Sequence, residues 1–181
     1  MSGRILVAEE DGVFLMKFEG DVRITLCAAI DRFLDTMFET PSFKAVIVDL
    51  CDAQGVDSTT LRILAKLSMQ VQTRFGVLPD LVCDAAPILR LLHSMGFDDV
   101  FSIRTDRTPI ERALLPVADL RLLESGSRCA ELESEAEMHK RVLAAHKLLM
   151  QLNPVNQERF RDLVATLEAS ETYPPDQAHR R

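Results

Sequence analysis

Apolar residues recur along this chain with two different periods, and the switches between them mark the elements. Arg4–Ala8 and Val13–Glu19 alternate as strands do, and Glu9-Glu10-Asp11-Gly12 joins them with an Asp-Gly hairpin signal. Leu26, Ile30, Phe33, Leu34 and Met37 then fall at i, i+4, i+7, i+8 and i+11, one face of an amphipathic helix. Thr25 is placed to cap that helix and Pro41 to stop it. Lys44–Leu50 follows. Its centre, Ala45-Val46-Ile47-Val48, is β-branched and too short for a helix, which predicts a strand buried on both faces, as in a parallel sheet. Polar residues from Cys51 to Val56 predict a loop with Gly55 at its turn. A helix is expected from about Ser58 to Phe75, with Leu61, Leu64, Ala65, Val71 and Phe75 facing inward. At about 100° per residue, Ile63 points more than about 120° from the centre of that stripe. It is expected either as a lone exposed Ile or as an apolar contact for a partner.

The alternation continues. Asp80–Cys83 reads as a short strand, Asp84 as the cap of a helix with Pro87 in its first turn, and Ile88, Leu91, Leu92 and Met95 as that helix's apolar face, ended by Gly96. Val100–Ile103 is a last strand, and Thr108-Pro109 starts a helix with Ile110, Ala113 and Leu114 inward and Pro116 at its end. Strands alternating with helices of this length predict an α/β layered domain, and the opening hairpin makes its sheet mixed. Asp119 to Gly126 reads as a junction. Beyond it Met138, Val142, Ala145, Leu149 and Leu152 recur at helical spacing, Asn153-Pro154 breaks the run, and Phe160, Leu163, Val164 and Leu167 resume it. This is a helical hairpin. Two helices alone bury little surface, so it must pack on the α/β domain, on its own copy in a homodimer, or on a partner. The division expected is an α/β domain over 1–118, the hairpin over 119–170 and a disordered tail over 171–181.

Composition narrows the class. The net charge of −7 comes without a basic patch, so no direct nucleic-acid partner is expected. No stretch approaches the ~20 apolar residues that span a bilayer, and the start, MSGRILVAEEDG, lacks the layout of a signal peptide. Cys27, Cys51, Cys83 and Cys129 form no CxxC pair, and Cys27 and Cys83 fit small core positions. The expectation is a reduced, cytoplasmic protein without membrane contact.

One stretch concentrates chemistry. Asp57-Ser58-Thr59-Thr60 sets a carboxylate and three hydroxyls where a strand gives way to a helix. Their oxygens can accept the free N–H groups of the first turn, and in open α/β sheets that carboxyl edge is where ligands bind. A hydrophobic strand ending in Asp49-Leu50, a short loop, then Asp57-Ser58-Thr59-x-Leu61 resembles the STAS domain of anti-sigma factor antagonists. Glu19-Gly20-Asp21, Met95-Gly96-Phe97 and Val100-Phe101-Ser102-Ile103 match it as well, over roughly Arg4 to Pro116. The family usually has Gly where this chain has Thr60. The resemblance implies a STAS-like mixed sheet packed with helices. It implies phosphorylation of Ser58 by a partner anti-sigma factor with serine kinase activity, and reversal by a serine phosphatase. It further implies a partner surface near Asp21, Gly55, Asp57, Ser58, Thr59, Thr60 and Ile63. Unphosphorylated, such a protein holds the anti-sigma factor and so releases a sigma factor. From the local pattern alone, Ser58 is better read as a plain helix N-cap, and Asp57 reads equally as a cap or as a group that positions the phosphoryl donor.

Other classes fit less well. A serine nucleophile elbow needs G-x-S-x-G, and this chain reads Val56-Asp57-Ser58-Thr59-Thr60. There is no P-loop and no GxGxxG. His139 and His146 share a helix face but lack an obvious third ligand, and His93 reads as structural. No enzyme, cofactor or metal is expected. Two alternatives stay open: a STAS scaffold serving a non-sigma output such as a diguanylate cyclase, and a STAS domain sensing a nucleotide or lipid at the strand edge.

Overall fold

The structure, a computed structural model, describes residues 3–22, 27–107, 121–122 and 135–172. The strands are β1 (Arg4–Glu10), β2 (Val13–Val22), β3 (Ala45–Val56), β4 (Asp80–Val82), β5 (Ser102–Arg104) and β6 (Arg121–Leu122). The helices are α1 (Cys27–Glu39), α2 (Ser58–Phe75), α3 (Ala86–Ser94), α4 (Glu135–Met150) and α5 (Pro154–Thr172). The sheet runs β5-β4-β3-β2-β1-β6. β1 is antiparallel to β2 and β6, and every other pair is parallel. Asp11 and Gly12 both take positive φ, 51° and 82°, which a two-residue hairpin of this hand requires.

Each β-α-β step moves one strand in the same direction, so right-handed crossovers set α1, α2 and α3 on one face of the sheet. Even-numbered side chains of β2 and β3 face them. Phe14, Met16, Phe18, Val46, Val48 and Leu50 share one buried cluster with Ile30, Leu34, Leu61, Leu64 and Leu92. Odd-numbered Leu15 and Ile47 join Ala8 and Val82 in a smaller cluster on the other face. The Ala45–Val48 run therefore lies in a strand enclosed on both sides, as its β-branched composition predicts.

Several expectations need correction. β3 does not stop at Leu50. It continues through the polar stretch to Val56, because β2 runs on to Val22 and pairs with it, and ladder bonds outweigh composition there. Gly55 is thus a strand residue opposite Asp21, not a turn. Ile63 is buried, with 3% of its surface exposed. It shares a side of α2 with Leu67 and Arg74, at i, i+4 and i+11, and the Arg74 guanidinium lies 4.9 Å over the Phe38 ring of α1. A single inward stripe misses this second packing surface against a neighbouring helix. The cap residue of α3 is Ala85, which has no side-chain oxygen to offer, rather than Asp84. Arg121–Leu122, inside the expected junction, adds an edge strand beside β1. α5 extends to Thr172, past the expected start of the tail. The expected Thr25 cap, the helix from Thr108, most of the junction and residues 173–181 lie outside the described residues.

Of the three ways to bury the hairpin, this structure uses the first. α4 packs along α2, and Leu149 joins the main core with Leu148, Leu152 and Phe160 against it. Asn153 caps α5 through its Oδ1, which accepts the Asn156 amide at 2.8 Å. The hairpin turn is fastened to the end of α3: the Asn156 and Asn153 side-chain amides donate to the Met95 carbonyl at 2.8 and 3.3 Å, and Arg159 donates to Ser94 O at 3.0 Å. A Cβ on Gly96 would meet Asn153 Nδ2 at 1.9 Å, so that approach needs glycine. The hairpin's histidines are spent internally. His139 Nε2 donates to Leu167 O at 2.7 Å and His146 Nδ1 to Val142 O at 2.8 Å.

The face of the sheet away from α1–α3 carries an ion network that the sequence does not announce. Asp49, 2% exposed, accepts two hydrogen bonds from Arg107, at 2.8 and 3.2 Å, and one from the Cys51 amide at 2.9 Å. Arg107 also reaches Asp52 at 3.3 Å, Asp52 pairs with Lys17 at 2.8 Å, and Lys17 with Glu19 at 2.6 Å. The Lys17 hydrogen bond holds Asp52 below the usual carboxylate range, and does the same to Glu19. Burial pulls Lys17 down, but its two carboxylate partners outweigh that and leave it above its usual value. Burial, with Asp49's charge beside it, pushes the Cys51 thiol up to about 12. Removing one partner of a buried pair strands the other's charge. Arg107→Met should therefore cost about 2 kcal/mol in urea unfolding, a low figure for such a pair because water reaches the guanidinium. Adding Asp49→Asn should recover part of that loss. An unchanged midpoint in the single variant would show that the pair is not structural.

Candidate functional site

The site is built by the way β2 and β3 end together. Asp21 pairs with Gly55 and Val22 with Val56 at the last rungs of the parallel ladder. Asp57 follows in extended conformation, φ −107° and ψ 177°, and Ser58 opens α2. Strand and helix are thus separated by a single residue, which fixes Ser58 at the carboxyl edge of the sheet. Asp57 is the helix cap: its Oδ1 accepts the Thr60 amide at 2.8 Å, and its carbonyl accepts the Leu61 amide at 3.0 Å. Ser58 and Thr59 have no earlier helical turn to accept their own N–H groups, so the positive end of the helix lies at Ser58.

Thr60 has a role that its sequence position does not disclose. Its hydroxyl lies 3.0 Å from the Val22 carbonyl and 3.0 Å from Asp57 Oδ1. One proton serves both acceptors, and the side chain ties the start of α2 to the end of β2. Thr59 and Thr60 are 2% and 3% exposed, while Ser58 remains partly open to solvent. Of the Ser58-Thr59-Thr60 run, Ser58 is the one residue that keeps partial solvent exposure. Asp21 stands beside Gly55: a Cβ there would meet Asp21 Oδ1 at 3.2 Å, so a side chain at 55 would crowd that carboxylate.

Four of the residues singled out in the sequence, Asp21, Gly55, Asp57 and Ser58, therefore meet at one edge. Thr59, Thr60 and Ile63 are correctly placed along the chain but turn inward, so their contribution is to packing and to the turn. Among the described residues no three His, Cys, Asp or Glu side chains gather as a metal site. No helix among them is long and apolar enough to cross a membrane. Sequence reasoning missed Asp49, Asp52, Lys17, Glu19 and Arg107, which brace β2 against β3 just before the site. The available signal was an acid inside an otherwise apolar strand and charges on alternate positions of β2.

A family model described as STAS domain matches residues 4–109, more than half of the chain. The chain belongs to the STAS domain family. The match includes the whole β2–β3–α2 edge just described, and the hairpin of α4 and α5 lies outside it. Among solved structures the chain is similar to the crystal structure of an anti-sigma factor antagonist from Mycobacterium paratuberculosis. The identity is 23% and the TM-score 0.49, over 64% of this chain and 93% of that one. No curated protein matches significantly.

In this STAS domain the Thr60 tether can be tested alone. Thr60→Val keeps the shape and removes the hydroxyl, leaving the Val22 carbonyl without that donor, so it should lower stability by about 1–2 kcal/mol. Thr60→Ser should recover most of the loss. Thermal unfolding of both variants measures this, and a Val variant as stable as the parent would dismiss the tether.

Proposed function

We propose that this chain is an anti-sigma factor antagonist, switched by reversible phosphorylation of Ser58. In this reading it is a cytoplasmic substrate and binding module, not a catalyst. Unphosphorylated, it holds an anti-sigma factor that is also its serine kinase, and the sigma factor goes free. A serine phosphatase restores that form. The observation that carries the reading is that Ser58, the first residue of α2 and next to the capping Asp57, is the one partly exposed residue of the Ser58-Thr59-Thr60 run. Membership of the STAS domain family supports it.

The physics of the switch is local. A phosphate adds about −1.5 to −2 charges and three acceptor oxygens. The helix N-terminus stabilises such an anion, so the domain need not unfold. What changes is the docking surface. Packing a partner over an unpaired, strongly hydrated anion costs several kcal/mol. Since about 1.4 kcal/mol is tenfold in affinity, a micromolar complex is lost.

The test is a pull-down of the candidate anti-sigma factor with Ser58→Ala and Ser58→Asp. The Ala variant should bind constitutively, and the Asp variant should bind at least about tenfold more weakly. Equal binding by the two would remove the switch. Binding by neither, with both variants folded, would favour a scaffold for a different output.

A further inference from the structure

We infer that the α4–α5 hairpin is an intramolecular latch on the Ser58 side of α2, and that a phosphate on Ser58 releases it. The inference rests on the reading of Ser58 as a phosphosite. The Arg74 contact with Phe38 marks the side of α2 that faces α1. Ser58, Arg62, Ala65 and Met69 recur at i, i+4, i+7 and i+11 and form the side facing away from α1, toward α3. α4 packs on α2, and its end is pinned to the end of α3 through Asn153, Asn156 and Met95. It therefore lies on the α3 side of α2, the side that begins at Ser58.

Its direction and length let it reach that far. α2 and α3 both run from the carboxyl edge of the sheet to the opposite edge, and α4 ends at that opposite edge, beside Met95. Its own beginning accordingly points back toward the carboxyl edge. At about 1.5 Å per residue, α4 is about 24 Å long against about 27 Å for α2. The two sides of α4 have separate tasks. His139, His146 and Lys147 face α5: His139 Nε2 donates to Leu167 O, His146 stacks edge-on against Phe160 at 5.0 Å, and Lys147 pairs with Glu168 at 2.6 Å. Ala145 and Leu149, one turn apart and buried, face the domain. The hairpin is thus a unit with its own internal contacts that docks by one side.

The docking seam is built to open. Arg62 Nε on α2 and Asn156 Oδ1 in the hairpin are buried with no hydrogen-bond partner among the described residues. Undocking returns each of them to water, which favours release without disturbing the sheet. At its turn the hairpin is held by polar contacts, the bonds from Asn153, Asn156 and Arg159 to the Ser94 and Met95 carbonyls. A doubly charged, hydrated phosphate on Ser58 would stand on the side of α2 against which α4 packs, and so weakens docking. A partner that packs along α2 from Ser58 has to displace the same helix, so latch and partner compete for one surface.

The test uses the full chain alone. Ala145→Cys places a thiol in the seam, and native Cys83, fully buried in the domain core, reports global unfolding in the same molecule. Labelling with a maleimide is followed by peptide mass spectrometry. The introduced thiol should react at least about tenfold faster than Cys83. Asn156→Ala should raise the rate at the introduced thiol about a further tenfold, as loss of its hydrogen bonds predicts, with Cys83 unchanged. Phosphoserine installed at position 58 by genetic encoding should do the same. Equal rates at the two thiols would mean that the hairpin opens only when the whole domain unfolds, and the latch is overturned. A fast seam thiol indifferent to phosphoserine would overturn the coupling to Ser58. Because the phosphate is installed directly, either failure is independent of whether a kinase modifies Ser58 in the cell.

Discussion

A single hydroxyl fastens the start of α2 to the end of β2. Thr60 bonds to the Val22 carbonyl while Asp57, three residues earlier, caps the same turn. The position of Ser58 follows from this. With β2 and β3 paired to their last residues, and one residue between strand and helix, Ser58 has little freedom to sit elsewhere. The surrounding core is ordinary for a layered α/β domain. What is particular to this chain is that the turn is held by side-chain oxygens and braced from the other face of the sheet by Asp49, Arg107, Asp52 and Lys17.

The strand and helix pattern was legible because each buried element shows its period. The hairpin at Asp11-Gly12, the doubly buried strand at Ala45–Val48, and α2 from Ser58 to Phe75 all follow from spacing and turn chemistry. The elements that were not legible depend on contacts distant in sequence. Cys51–Val56 is polar and reads as a loop, and only its pairing with Glu19–Val22 makes it a strand. Ile63 looks outward on a helical wheel drawn for one packing surface, yet α2 has neighbours on more than one side. β6 is two residues long and has no period to detect.

The site divides in the same way. A cap at Asp57 or Ser58 comes directly from local chemistry, and the structure gives that place to Asp57, with Ser58 the first helical residue. That Thr59 and Thr60 turn inward, leaving Ser58 as the one partly exposed residue of the three, does not come from it, since neighbouring hydroxyls look alike in sequence. The partners of Asp49 and Thr60 lie far along the chain, and no local rule joins them. The hairpin was legible as two helices, but the surface it covers was not. Asn153 reads as a turn residue, and only the fold shows its amide, with that of Asn156, reaching the end of α3.

Everything proposed for this edge depends on a covalent anion at one side chain. Phosphopeptide mass spectrometry of the protein isolated from its native cells, in resting and in stressed growth, measures it most directly. The peptide spanning Ser58 should carry a phosphate whose occupancy changes between the two conditions, with Thr59 and Thr60 unmodified. Full peptide coverage with no phosphate on Ser58 in either condition would contradict the account.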